Sequence, residues 1–418
     1  MTSQLLAGIR AIDMTEVWAG PMGTSLLGDL GADVIRLESF PRPPAISRPL
    51  REGTAVPGDG PPYERAGSHH MANRNKRNIA VNIRDDAGAE VVRRLAAAVD
   101  VLIEGYSAGT IEGLGLGWER LHAINPRLVM ISMPGWGVDG PYRGYATLGS
   151  GLDATLGHMA VRGYPGGPED QVPVMYHTDA TGAVGLVTAV VAGLLRREET
   201  GEGCFIDMSQ AEAFAWQLPA LQAEWTMHRR LPTRLGNADP HVVPHGCYRA
   251  AGGEAGAVAW VVIAAENDAQ WAGVAHAAGH PEWAEPPHPW ASVVGRLRSR
   301  AEIDAALAAF VGAGTAEEVA HAVAEAGGIA APVIFHIGLM TSPQIAHRGW
   351  LQTVDHRYAG TQTLAGFLWQ VDPDAPSWDL ACGLVGEHNH EVLRELGYST
   401  DEVAALLERG AIGDRYGQ

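Results

Sequence analysis

The stretch Gly8–Leu37 constrains the fold more than any other part of this chain. GIRAIDM (8–14) is a short apolar strand pattern, and TEVWAGP (15–21) follows as a loop. MGTSLLGDL (22–30) is apolar at helical spacing and stops at Gly31; DVIRL (33–37) is a second strand pattern. Strand, loop, helix and strand at this spacing make a βαβ unit. The alternation then resumes: NIAVNI (78–83) reads as a strand, 85–98 as a helix capped by Asp85 or Asp86, 99–103 as a strand, 118–124 as a short helix and 128–133 as a strand. The fold class is therefore α/β, a mostly parallel, doubly wound sheet covered by helices. Residues 38–70, rich in Pro and Gly, read as an irregular excursion.

Further on, 180–197 is a long apolar helix ending in Arg196 and Arg197, where the helix dipole favours cations. Residues 204–208 form a strand, and 209–227 a helical stretch kinked at Pro219. The loop 230–244 reads as a linker. A glycine-rich turn at 252–256, a strand at 258–264 and helices at 269–279, 301–312 and 316–326 make a smaller α+β domain. Residues 339–418 return to irregular structure and end in a helix at 401–408. The domain reading is 1–225 for the first part of a large domain, 226–338 for the small domain with its linkers, and 339–418 for the return.

The 418 residues suit two or three domains, and 46% hydrophobic content supplies a core. A net charge of −18 repels nucleic acid and anionic membranes, so neither is expected as a partner. Cys204, Cys247 and Cys382 lie far apart, which argues against a zinc ribbon or a disulfide framework. No signal peptide and no apolar run of about 18 residues stands out, so a reducing cytoplasm is the expected compartment. Lys76 is the only lysine. Anionic ligands must then be held mainly by Arg, backbone N–H groups and helix N-termini.

Motifs for several chemistries are missing or incomplete. There is no GxxxxGK[ST] loop and no HExxH. Of 17 histidines, His241/His245 and His276/His280 have a four-residue spacing, but prolines or Gly279 deny them a helix. His388 and His390, in GEHNHE, read as a solvated turn, and no metal is expected. Gly105-Tyr106-Ser107-Ala108-Gly109 matches GxSxG, yet the segment after it is a poor helix for a nucleophile elbow. Val17-Trp18-Ala19-Gly20-Pro21 leads into a helix and could hold an anion. Asp179 follows an apolar patch and precedes the long helix. It could be an N-cap or a carboxylate nucleophile, and His177 a base, a donor or a neighbour.

Six collinear stretches resemble the class III CoA-transferases, the group that contains formyl-CoA and carnitine CoA-transferases and α-methylacyl-CoA racemase. They are 6–39, 73–84, 100–109, 114–141, 177–213 and 386–399. The resemblance implies a Rossmann-like large domain built from both chain ends, a small inserted domain and an interlocked homodimer. It implies coenzyme A and acyl-CoA as substrates, with a carboxylic acid as acceptor. Asp179 aligns with the family's catalytic aspartate, which passes through an aspartyl–acyl anhydride and an aspartyl-CoA thioester. The implied CoA contacts are Trp18, Ala19, Val81, Asn82, Ile83, Arg84, Gly105, Tyr106, Ser107, Gly135, Trp136 and Gly137. Arg84 is the candidate for a phosphate, Tyr176 and His177 are candidates for the acid, and Lys76 and Arg77 read as structural. Ser39 and Gly113 stand where some transferases carry arginine, and 234–244 replaces the glycine-run loop of formyl-CoA transferase. The racemase branch places a histidine in the stretch corresponding to 144–149; GYATLG has none, which leaves racemisation as the alternative enzyme and a CoA-binding homologue as the non-catalytic one.

Overall fold

The computed structural model describes residues 4–41, 46–48, 53, 55–168, 175–252, 258–372, 376 and 378–416. Most of the 252–256 turn expected from the sequence lies outside them.

The chain divides into two compact units. The first contains residues 1–159, 173–230 and 346–418. Its centre is a parallel six-stranded sheet of β1 (Arg10–Met14), β2 (Asp33–Glu38), β3 (Arg77–Ala80), β4 (Val101–Glu104), β5 (Val129–Ser132) and β6 (Cys204–Asp207). The order across the sheet is β3-β2-β1-β4-β5-β6. Strand order reverses between β1 and β4, and connections diverge there to opposite faces. In open α/β sheets this switch point leaves a crevice at the carboxyl ends of the strands.

Alternation along each strand builds two cores, because successive side chains point to opposite faces. Ile12, Met14, Ile35, Leu102 and Met130 join Val91, Val92 and Leu95 of the helix Asp86–Ala97. Ala11, Val34, Val101, Ile103 and Ile131 join Leu26 and Leu27 of the helix Ala19–Asp29 and Leu186 and Val190 of the helix His177–Thr200. This last helix has 24 residues and a mean hydropathy of 1.6 over its most apolar window, enough by length and composition to cross a membrane. Here it is a core helix laid on Ala19–Asp29 and the sheet, with half of that window buried.

Several local expectations change. The first helix begins at Ala19, inside the segment read as a loop, and a helix at Gly67–Asn73 closes the irregular excursion. The stretch 209–227 is two helices, Gln210–Ala215 and Pro219–His228, since Pro219 starts a helix more readily than it sits inside one. The return segment is more ordered than its sequence suggests. It holds the antiparallel hairpin of β10 (Leu351–His356) and β11 (Gly360–Ala365) and the helices Asn389–Glu395 and Thr400–Arg409. His388 is no solvated turn: its Nδ1 accepts the Asn78 N–H at 3.0 Å, while Asn389 Oδ1 accepts the Ala80 N–H. Arg77 bridges Asp33 and Glu395 at 2.6 and 2.7 Å, which ties this segment to the sheet edge.

The second unit contains residues 160–172 and 231–345. Its antiparallel strands β7 (His245–Arg249), β8 (Trp260–Ala264) and β9 (Ile329–Pro332) pack against helices Asp268–Ala277, Arg300–Gly312 and Ala316–Glu325. Val261, Ile263, Trp271, Leu307 and Val323 form its core. Thr315 and Glu318 form a capping box that starts the helix after Thr315.

Candidate active site

A cleft of about 270 Å³ opens at the β1/β4 switch point. The loop after β1 and the start of the first helix (15–20), the loop after β4 (105–107), the segment 147–149 and Asp179 are among its walls.

Buried charge sets the β1 loop. Asp13 accepts from the Thr15 N–H at 2.9 Å, the Thr24 hydroxyl at 2.7 Å and Lys76 Nζ at 2.9 Å. Burial alone would raise the Asp13 pKa, but Lys76, Arg36 and Thr15 hold it at about 2. Two residues on, Val17 has φ 70°, the left-handed region that a β-branched side chain rarely enters. Gly20 permits the tight turn into the helix, since a Cβ there would overlap the Thr15 side chain.

The β4 loop has its own anchor. Glu104, at the end of β4, accepts the Tyr106 N–H at 2.8 Å. Burial pushes its pKa up to about 7.

Asp179 lies on the first turn of His177–Thr200 and is 7% exposed. Burial raises its pKa, opposed by the backbone N–H groups of Ala19 and of Asp179 itself. Opposite it, Gly149 begins the helix Gly149–Thr155, and the Thr178 hydroxyl donates to the Gly149 carbonyl at 2.8 Å. A side chain at Gly149 would collide with the carboxylate. Gln210 lines the cleft and donates to the Met133 carbonyl at 2.9 Å. A partly desolvated carboxylate between two backbone segments can act as a nucleophile toward a carbonyl carbon.

The expected site residues separate into groups. Trp18, Ala19, Gly105, Tyr106, Ser107, Gly135 and Asp179 line the cleft together. Trp136 faces a neighbouring hollow with Tyr142 and Leu156, and Gly137 sits where the Val138 N–H bonds Asp207. Val81, Asn82, Ile83 and Arg84 follow β3 at the sheet edge; Val81 bridges to Ile412, and Arg84 is exposed. Tyr176 stands edge-on to Trp18 at 4.8 Å. His177 points away from the cleft lining, toward His158 and Phe214. Sequence reasoning did not single out Gly149 or Gln210, which lie 30 and 31 residues from Asp179. Nor did it join Asp153, His158 and His177, whose coordinating atoms lie within 4.8 Å of one another.

Comparison with known proteins gives a consistent picture. A sequence model described as CoA-transferase family III matches residues 6–389. The chain is 30% identical over 408 residues to succinyl-CoA–D-citramalate CoA-transferase of Chloroflexus aurantiacus, covering 97% of this chain and 98% of that one. It is 31% identical over 417 residues to succinyl-CoA:glutarate CoA-transferase of Mus musculus, covering 97% and 90%. Among solved structures, a CaiB/BaiF family protein from Brucella suis superposes with a TM-score of 0.83 at 26% identity, covering 94% and 100%.

Proposed function

The chain belongs to CoA-transferase family III, and from that premise we propose that Asp179 carries CoA from a succinyl-CoA-type donor to a dicarboxylic or hydroxydicarboxylic acid. The observation that carries the reading is the position of the Asp179 carboxylate, desolvated and held by the Ala19 N–H, in the wall of the switch-point cleft. The acceptor class is supported by D-citramalate and glutarate, both dicarboxylic acids, in the names of two relatives.

In this mechanism an Asp179 oxygen attacks the thioester carbonyl. The C–S bond breaks, and an aspartyl–acyl anhydride and CoA thiolate result. The thiolate then attacks Cγ of Asp179, releasing the donor acid as its carboxylate and leaving an aspartyl-CoA thioester. The acceptor carboxylate attacks Cγ of that thioester, the C–S bond breaks, and a new anhydride and CoA thiolate form. The same thiolate finally attacks the acceptor acyl carbon, which frees Asp179. Both intermediates conserve acyl activation, and both must be kept from water. Burial of Asp179 supports that requirement.

The pantetheine arm is proposed to pass between residues 18–20 and 105–107, with the nucleotide extending toward the carboxyl end of β3 and the exposed Arg84. No Arg or Lys is among the residues lining the cleft, so backbone N–H groups would serve the thioester end. A second copy of the chain is proposed to complete the molecule. Val184, Leu195, Trp216 and Met227 are exposed by 44, 62, 83 and 74%, and a second copy covering them would remove that apolar area from water.

The test is mass spectrometry after incubation with succinyl-CoA and other acyl-CoAs, with hydroxylamine or borohydride trapping. An adduct on the peptide containing Asp179, absent in Asp179→Ala, is the expected result. No adduct, with deuterium uptake at the substrate α-carbon, would turn the reading to racemisation. No adduct and no exchange, with CoA still bound, would leave a binding protein.

A further inference from the structure

Behind the wall of the cleft lies a cluster that the transfer chemistry does not use. Asp153 lies in the helix Gly149–Thr155 with its side chain wholly buried, and its Oδ1 lies 2.6 Å from Nδ1 of His158. The His158 ring meets the His177 ring edge-on at 5.1 Å. Phe214 closes the cluster, edge-on to His158 and stacked on His177. Nδ1 of His177 is buried and has no hydrogen-bond partner among the described residues. A buried ring nitrogen without a partner forfeits the hydrogen bond it makes in water.

We propose that Asp153, His158 and His177 bind one divalent transition-metal ion of borderline softness, with Zn²⁺ as the representative. Two imidazoles and one carboxylate are donors suited to such ions. The three coordinating atoms lie within 4.8 Å of one another. Metal–ligand bonds of about 2.0–2.2 Å bring neighbouring donor atoms to roughly 3 Å, so modest side-chain rotation completes the site. Coordination needs an unprotonated nitrogen on each imidazole, so a His158 that ligates through Nδ1 carries its ring proton on Nε2. The ion would supply the missing partner of His177 Nδ1. It would also pin three elements together: the helix Gly149–Thr155, the helix His158–Val161 and the first turn of His177–Thr200. Its role is therefore to clamp the segment that sets Gly149 against Asp179, with no bond to the reacting atoms. Among the described residues no other group of three or more such side chains comes together.

The experiment strips the full-length protein with a chelator and titrates it with Co²⁺, whose visible absorption reports its ligands. One equivalent per chain is expected, displaced by Zn²⁺, with X-ray absorption at the cobalt edge showing two imidazoles and an oxygen donor. His158→Gln and His177→Gln should each weaken Co²⁺ binding at least about 10-fold, within the range for losing a partner of a metal site. Failure of wild type to retain Co²⁺ would overturn the proposal and leave a hydrogen-bonded triad. So would binding unchanged in both variants, or a cobalt edge lacking imidazole. Should either variant fail to fold, the wild-type stoichiometry and edge spectrum still decide.

Discussion

The backbone of Gly149 lies so close to the Asp179 carboxylate that a Cβ there would overlap Oδ2 and stand 2.8 Å from Cγ. On the proposed mechanism a side chain there would crowd the carboxylate that the acyl group has to reach. Gly149→Ala is expected to lower kcat about 100-fold, the scale of an ångström of misplacement at a reacting centre. CoA affinity should stay within a few-fold of wild type, because residues 18–20 and 105–107 are untouched. Steady-state kinetics beside calorimetric CoA titration would check this; an unchanged kcat would refute it.

On the proposed mechanism Asp179 must be ionised to attack, and burial favours its neutral form. Transfer is expected to fall as pH drops through its raised pKa, so the acid limb of kcat/KM should lie above the ordinary aspartate value of about 3.9. Asp179→Asn should lose at least about 1000-fold in activity, as for other nucleophile replacements. An acid limb at or below pH 3.9 would show that the carboxylate is not desolvated in solution.

Glu104 offers a stability test with a defined sign. Its pKa is raised from 4.5 to about 7 by burial. Its favourable contribution is therefore complete below pH 4.5 and is lost as pH rises through 7, where a charge becomes trapped beside the sheet. Glu104→Gln keeps an acceptor for the Tyr106 N–H and removes the charge. The variant should be more stable than wild type at pH 8, by up to about 3 kcal/mol, and should lose that advantage at pH 5. Urea unfolding at the two pH values measures the difference; an equal gap at both would contradict the burial of Glu104.

Lys76 supplies the only side-chain amine in the chain. It is 1% exposed, and burial pulls its pKa down to about 8 despite the neighbouring Asp13. An amine-reactive acylating reagent should spare Lys76 in the folded protein and modify it on unfolding, as read by peptide mass spectrometry. Fast labelling under native conditions would show that the Asp13–Lys76 pair is open to solvent. Lys76→Met should destabilise by about 3–5 kcal/mol, since Asp13 would keep a buried charge without its ammonium partner.

Strands β1 to β5 of the parallel sheet were legible because they are largely buried on both faces and read as compact, mostly apolar runs, as in AIDM and VLIE. The position of Asp179 at a helix start was legible from the apolar helix behind it. The return segment was harder: its hairpin is largely polar and half exposed, and His388 and Asn389 take their meaning from bonds to Asn78 and Ala80 more than 300 residues away. The histidine pairs set aside at the sequence level for want of a helix have other partners: His245 bonds the Asn237 carbonyl and His280 bonds Glu282.

Local order was written in the sequence alone, through apolar periodicity, helix caps and the motifs that resemble one family. These depend on neighbours a few residues apart, so a linear pattern carries them. The tertiary structure alone decided which backbone faces Asp179, which ring nitrogens meet Asp153, and that Asp13 would hold both Thr15 and Lys76. Those relationships rest on close packing and on partners for buried polar groups, and both arise only when distant segments are brought together.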